Sequence, residues 1–80
     1  MKTEIEIYHA SARPSGYGHI EIKVELMHKD EHKEFAAVTD NMPDYDEANR
    51  LEGDEKRNAL YKLIEHKIND SVDEWIEELN

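Results

Sequence analysis

From Leu60 onward, Leu60, Leu63, Ile64, Ile68, Val72, Trp75, Ile76 and Leu79 recur every three or four residues without a slip, the spacing that gathers apolar side chains on one face of an α-helix. Extended back to Asp54, the pattern predicts one helix over 54–79, roughly 39 Å long at 1.5 Å per residue. In a chain of 80 residues, such a helix needs a matching apolar surface, and the preceding residues must supply it. Ser71 and Glu74 also fit a capping box, which offers a break near 69–71 as an alternative. The unbroken apolar phase from Ile68 to Val72 favours a single helix.

The matching surface is a sheet. In HIEIKVELM, Ile20, Ile22, Val24 and Leu26 alternate with His19, Glu21, Lys23 and Glu25, the period of a strand buried on one face. TEIEIY alternates in the same way through Ile5 and Ile7 and predicts an earlier strand over 3–8. Between them, ASARPSGYG, with Pro14, Gly16 and Gly18, predicts a loop. HKEFAAVT predicts a third strand; setting Phe35 opposite Val24 also sets Ala37 opposite Ile22 and Thr39 opposite Ile20, with a four-residue connection at 28–31. In DNMPDYDEANRLEG, Pro43 and the Asp44–Glu47 spacing predict a short helix or helical turn before Gly53. The expected fold is α+β: a three-stranded antiparallel sheet packed on a long C-terminal helix, with the short helix before it.

Residues 1–80 are the length of one domain, one that buries only about 60% of the surface its unfolded chain exposes. With no cysteine, neither disulfides nor thiolate zinc sites supplement that core. No apolar run reaches the roughly 20 residues of a membrane span, and MKTEIEIYHA lacks the basic start and apolar stretch of a signal peptide. The expected location is cytoplasmic.

The formal net charge is −10. Residues 1–39 sum to −2, 40–55 to −6, 56–69 to +3 and 70–80 to −5, so nearly all the excess lies in two short blocks. One holds Asp44, Asp46, Glu47, Glu52, Asp54 and Glu55; the other holds Asp70, Asp73, Glu74, Glu77 and Glu78, without a Lys or Arg among them. The C-terminal end of a helix carries partial negative charge and favours cations, so acid placed there costs roughly 0.3–1 kcal/mol per charge. Excess negative charge also opposes nucleic acid and anionic membrane as ligands, because both are bound by neutralising cations.

The remaining motifs point away from chemistry. HKDEH has the i, i+4 spacing of a zinc pair, but that geometry requires a helix and this segment turns between strands. Asp40, Asp44 and Asp46 are oxygen donors, yet counting from Asp44 the sixth position is Asn49 where a calcium loop requires glycine. SARPSGYG lacks the glycine spacings of phosphate-binding loops, although Tyr8, Arg13 and Tyr17 are residue types favoured in partner contacts. Ser11, Ser15 and Ser71 have no recognisable base beside them in the sequence. No metal, cofactor or enzymatic activity is expected.

The order β-β-β-α, with GYGHIEIKVEL, then KEFAAVT, then a helix containing NALYKLIEHKI, resembles the C-terminal three-quarters of a double-stranded RNA-binding domain in topology. That family grips phosphates with a basic cluster at the start of its last helix. Here the corresponding stretch, DNMPDYDEANRLEGDEK, is acidic, and the family's first helix is absent, so the resemblance implies a topology and not RNA binding. In size, charge and lack of cysteine the chain is similar to phage-encoded inhibitors of host defence, the anti-restriction and anti-CRISPR proteins, several of which present carboxylates where a nuclease expects phosphates. That resemblance implies a DNA-mimic-like inhibitor.

The functional expectation is therefore a non-enzymatic module that sets the two acidic blocks against a basic surface of another protein, such as a nuclease or a CRISPR or restriction component, acting as monomer or homodimer. The alternative is a small structural or regulatory domain that self-associates through a strand edge or through Val72, Trp75, Ile76 and Leu79, its charge serving solubility.

Overall fold

The computed structural model describes residues 5–79. Strands β1 (Glu6–Gly16), β2 (His19–His28) and β3 (Glu31–Thr39) form one antiparallel sheet in the order β1-β2-β3, followed by helices α1 (Met42–Asn49) and α2 (Gly53–Leu79). This is the α+β arrangement predicted from the apolar spacing. Thr3 and Glu4, the start of the predicted first strand, lie outside the described residues.

Alternation in β2 sends Ile20, Ile22, Val24 and Leu26 to one face, where all four are buried. Its pairing with β3 sets Val24 opposite Phe35, Ile22 opposite Ala37 and Ile20 opposite Thr39, the register read from the sequence. The connection is shorter than predicted. His28 pairs with Glu31, leaving a two-residue turn at Lys29 and Asp30 with φ of 51° and 66°. Positive φ at both central residues gives the turn a twist that matches the strands, which lets pairing run to its edge. The same residues are strained, because left-handed backbone costs an L-residue roughly 1–2 kcal/mol. Replacing Lys29 and Asp30 by Asn and Gly should stabilise the protein by about 1 kcal/mol, read as a higher urea midpoint with an unchanged slope.

The predicted loop over ASARPSGYG is instead the second half of β1, which continues to Gly16 and turns at Tyr17 and Gly18. The breakers fit because β1 is an edge strand, where a proline leaves no ladder bond unmade on the open side. Register shifts between Ile7 and His9 and between Pro14 and Gly16 absorb the irregular residues, as β-bulges do. Ala10 and Ala12 face the helix beside the core.

Helix α2 is continuous through residues 69–71. It crosses the sheet from β1 to β3: Asp54, Arg57 and Asn58 lie beside Ile5, Ile7 and Tyr8, whereas Ser71, Glu74 and Trp75 lie beside Lys33 and Phe35. Leu60, Ile64, Ile68, Val72, Trp75 and Ile76 are buried on the sheet. Val72, Trp75 and Ile76 keep the acidic end of α2 packed on the sheet. Trp75 packs edge-on to Phe35 at 5.8 Å and to His28 at 6.3 Å between ring centroids. His28, expected in the connection, is instead the last residue of β2 and is buried.

The cap of α1 is Asn41, three residues before the expected Asp44. Asn41 Oδ1 accepts the Asp44 N–H at 3.3 Å and its amide donates back to the Asp44 carboxylate at 2.7 Å, with Pro43 in the first turn. Asn41 thereby satisfies the Asp44 N–H, one of the unpaired donors of the first turn, while Pro43, lacking an N–H, presents none. No helix among the described residues is long and apolar enough to cross a membrane.

Candidate functional site

All eleven carboxylates of the two acidic blocks are exposed, but the fold separates them. Asp44, Asp46 and Glu47 are on α1, Glu52 is in the connection, and Asp54 and Glu55 open α2. Asp70, Asp73, Glu74, Glu77 and Glu78 occupy its last turns. Asp54 and Glu78 stand about 36 Å apart along one straight helix at 1.5 Å per residue. The blocks are two patches at opposite ends of α2.

Local structure accounts for much of the first block. Asp44 takes part in the α1 cap. Asp54 and Glu55 sit in the first turn of α2, where the helix dipole favours negative charge, and Asp54 is ion-paired to Arg57 one turn on. A cavity of about 610 Å³ between this turn and Ile5, Ile7 and Tyr8 contains the same pair.

No such account covers the second block. The last turn of α2 has no basic residue, and Lys67, the last cation in the chain, donates its ammonium to the Val38 carbonyl. Helical spacing also brings like charges together as Asp70–Glu74, Asp73–Glu77 and Glu74–Glu78, all at i, i+4, each such pair destabilising by roughly 0.2–0.5 kcal/mol. The dipole and the neighbours act in the same direction. The Tyr61 phenol is raised above its ordinary pKa first by partial burial, then by Glu65 and Asp73. Because folding favours the neutral phenol, that contribution to stability is whole below the phenol's unfolded pKa near 10 and is lost as pH rises through the higher folded value. Tyr61→Phe should therefore flatten the alkaline fall in stability, measured by urea unfolding across pH 9–12.

The second block also borders a concave surface. Phe35 and Trp75 floor a groove of about 410 Å³, rimmed by Lys33, Ser71, Glu74 and Glu78. The Lys33 ammonium stands 5.8 Å from the Phe35 ring centroid, a cation over an aromatic face with carboxylates at the rim. The rings themselves are buried and Lys33 already holds the place over Phe35, so what the groove offers a basic side chain is the carboxylate rim of Glu74 and Glu78. Sequence reasoning weighed Trp75 and the carboxylates apart and missed the groove. The signal was available, because the Val24–Phe35 register and the helical period place Phe35 and Trp75 in the same layer.

A second cluster that the sequence did not suggest lies on the sheet face away from α2. His32 Nδ1 and Glu25 Oε2 are 2.8 Å apart, and Tyr8, at the β1 bulge, meets the His32 ring edge-on at 4.7 Å. Arg13 donates to Glu21 at 2.7 Å nearby. These are cross-strand pairs that hold β1, β2 and β3 in register. Tyr8 and His32 meet ring to ring. His28 and His32 point to opposite faces, so HKDEH does not converge, and among the described residues no three His, Asp or Glu side chains are grouped to hold a metal ion. Comparison with protein-family models, with curated proteins and with solved structures finds no match.

Proposed function

We propose that the protein is a non-enzymatic binding module that docks the acidic end of α2 onto a basic site of another protein, a nucleic-acid-handling enzyme that it blocks by occupying the phosphate-binding surface. The observation that carries this reading is the second block itself: five exposed carboxylates gathered against the helix dipole and against each other, two of them, Glu74 and Glu78, on the rim of a groove. A charge arrangement that opposes its own helix is accounted for by a partner that neutralises it. Charge needed for solubility alone can be spread over any exposed face with both signs mixed, as residues 56–69 do.

The first block, with its capping and ion-pair roles, is secondary in this reading. The alternative of self-association loses one of its two surfaces, since Val72, Trp75 and Ile76 are in the core. The test is affinity for a protein captured from bacterial lysate on the immobilised module, measured from low to physiological salt. Submicromolar binding that weakens steeply as screening shortens to about 8 Å is expected; binding indifferent to salt would overturn the mimic.

A further inference from the structure

The two edges of the sheet differ. β1 carries Pro14 and two register shifts, devices that blunt an edge against pairing. β3 contains neither proline nor glycine and pairs with β2 without a register shift over its whole length. Because the β2–β3 turn has two residues, His28 and Glu31 form a hydrogen-bonded pair. Such pairs then recur at Lys33, Phe35, Ala37 and Thr39. The main-chain groups of His32, Glu34, Ala36 and Val38 therefore point outward. An independent contact agrees with this: the Val38 carbonyl is the one that Lys67 reaches from α2, where the N–H of an added strand would otherwise donate.

We infer that the free edge of β3 receives an extended basic segment of the partner, which adds a fourth strand to the sheet; this rests on the acidic-docking reading above. Charge complementarity selects the occupant. Alternate side chains of an added strand would lie on the helix side, toward a groove where Glu74 and Glu78 outnumber the single cation Lys33, and are basic. The others would lie beside exposed Ala36 and Val38 and are small and apolar. A second copy of the chain would bring another net charge of −10 to the same edge and is disfavoured. Lys67 acts as a stand-in donor that the incoming strand displaces. Main-chain bonds to the edge give affinity, and the alternating side chains give selectivity.

The test uses labelled Lys-Val-Lys-Val-Lys-Val-Lys and its Glu-Val counterpart with the whole protein, reading anisotropy and amide hydrogen exchange. The basic peptide should bind and slow exchange at Glu34 and Ala36 by at least about tenfold while leaving the already paired Phe35 and Ala37 unchanged. Ala36→Pro, which removes an outward N–H where an edge strand tolerates proline, should weaken binding at least about tenfold. Binding without protection at Glu34 and Ala36, or unaffected by Ala36→Pro but lost in Glu74→Gln with Glu78→Gln, would overturn strand addition and leave acidic docking standing. Equal binding of both peptides would overturn the charge-based reading itself. Protection that grows with protein concentration alone would assign the edge to a second copy, and failure of both peptides to bind would overturn the inference.

Discussion

Trp75→Ala is expected to destabilise the protein by about 3–5 kcal/mol, the range for removing a large aromatic side chain from a core. For a domain of this size that is much of a total stability of about 4–12 kcal/mol. Trp75 is only 6% exposed, and its ring closes the end of the core against Phe35 and His28. Truncation leaves a cavity that α2 cannot collapse into without losing Val72 and Ile76 as well. Far-UV circular dichroism against urea checks this, with Trp75→Phe as the milder comparison. A tryptophan reserved for an interface would give the opposite pattern, unchanged stability with lost association.

The second large effect has the opposite sign. Changing Asp73 to Asn and Glu74, Glu77 and Glu78 to Gln should raise stability by about 1–2 kcal/mol at low salt, because it removes acid from the negative end of the helix dipole and relieves like-charge neighbours. The gain should shrink as salt screens the exposed charges. The same variant should lose its partner. Stability gained with binding lost is the signature of a surface kept acidic for recognition, and differential unfolding with parallel binding assays reads both.

Most of the fold was legible because its signals were periodic. The alternation in β2 and the Leu60–Leu79 stripe fixed which faces meet, and one pairing, Val24 with Phe35, carried the whole β2–β3 register. The failures were at turns and edges. Pro14 and Gly16 read as a loop because breakers have the same local appearance in a connection and in an edge strand, and only the pairing partner tells them apart. His28 read as part of the connection because a four-residue loop was expected where Lys29 and Asp30 adopt positive φ without glycine.

The candidate site was half legible. Charge sums located the acidic blocks, but whether they joined depended on the continuity of α2, which places them at its two ends. The groove between Phe35 and Trp75 arises from residues forty positions apart and required the packing of α2 on β3. The Asp54–Arg57 pair and the Asn41 cap then separated carboxylates with a local structural role from those without one.

The central claim is that the acidic end of α2 is a binding surface. The most direct measurement is capture from a bacterial lysate on immobilised parent protein and on the Asp73→Asn, Glu74→Gln, Glu77→Gln, Glu78→Gln variant, side by side at low and physiological salt. The account predicts a DNA- or RNA-handling protein retained by the parent, more strongly at low salt, and not retained by the variant although the variant is the more stable fold. Equal retention of the same protein by both would contradict it.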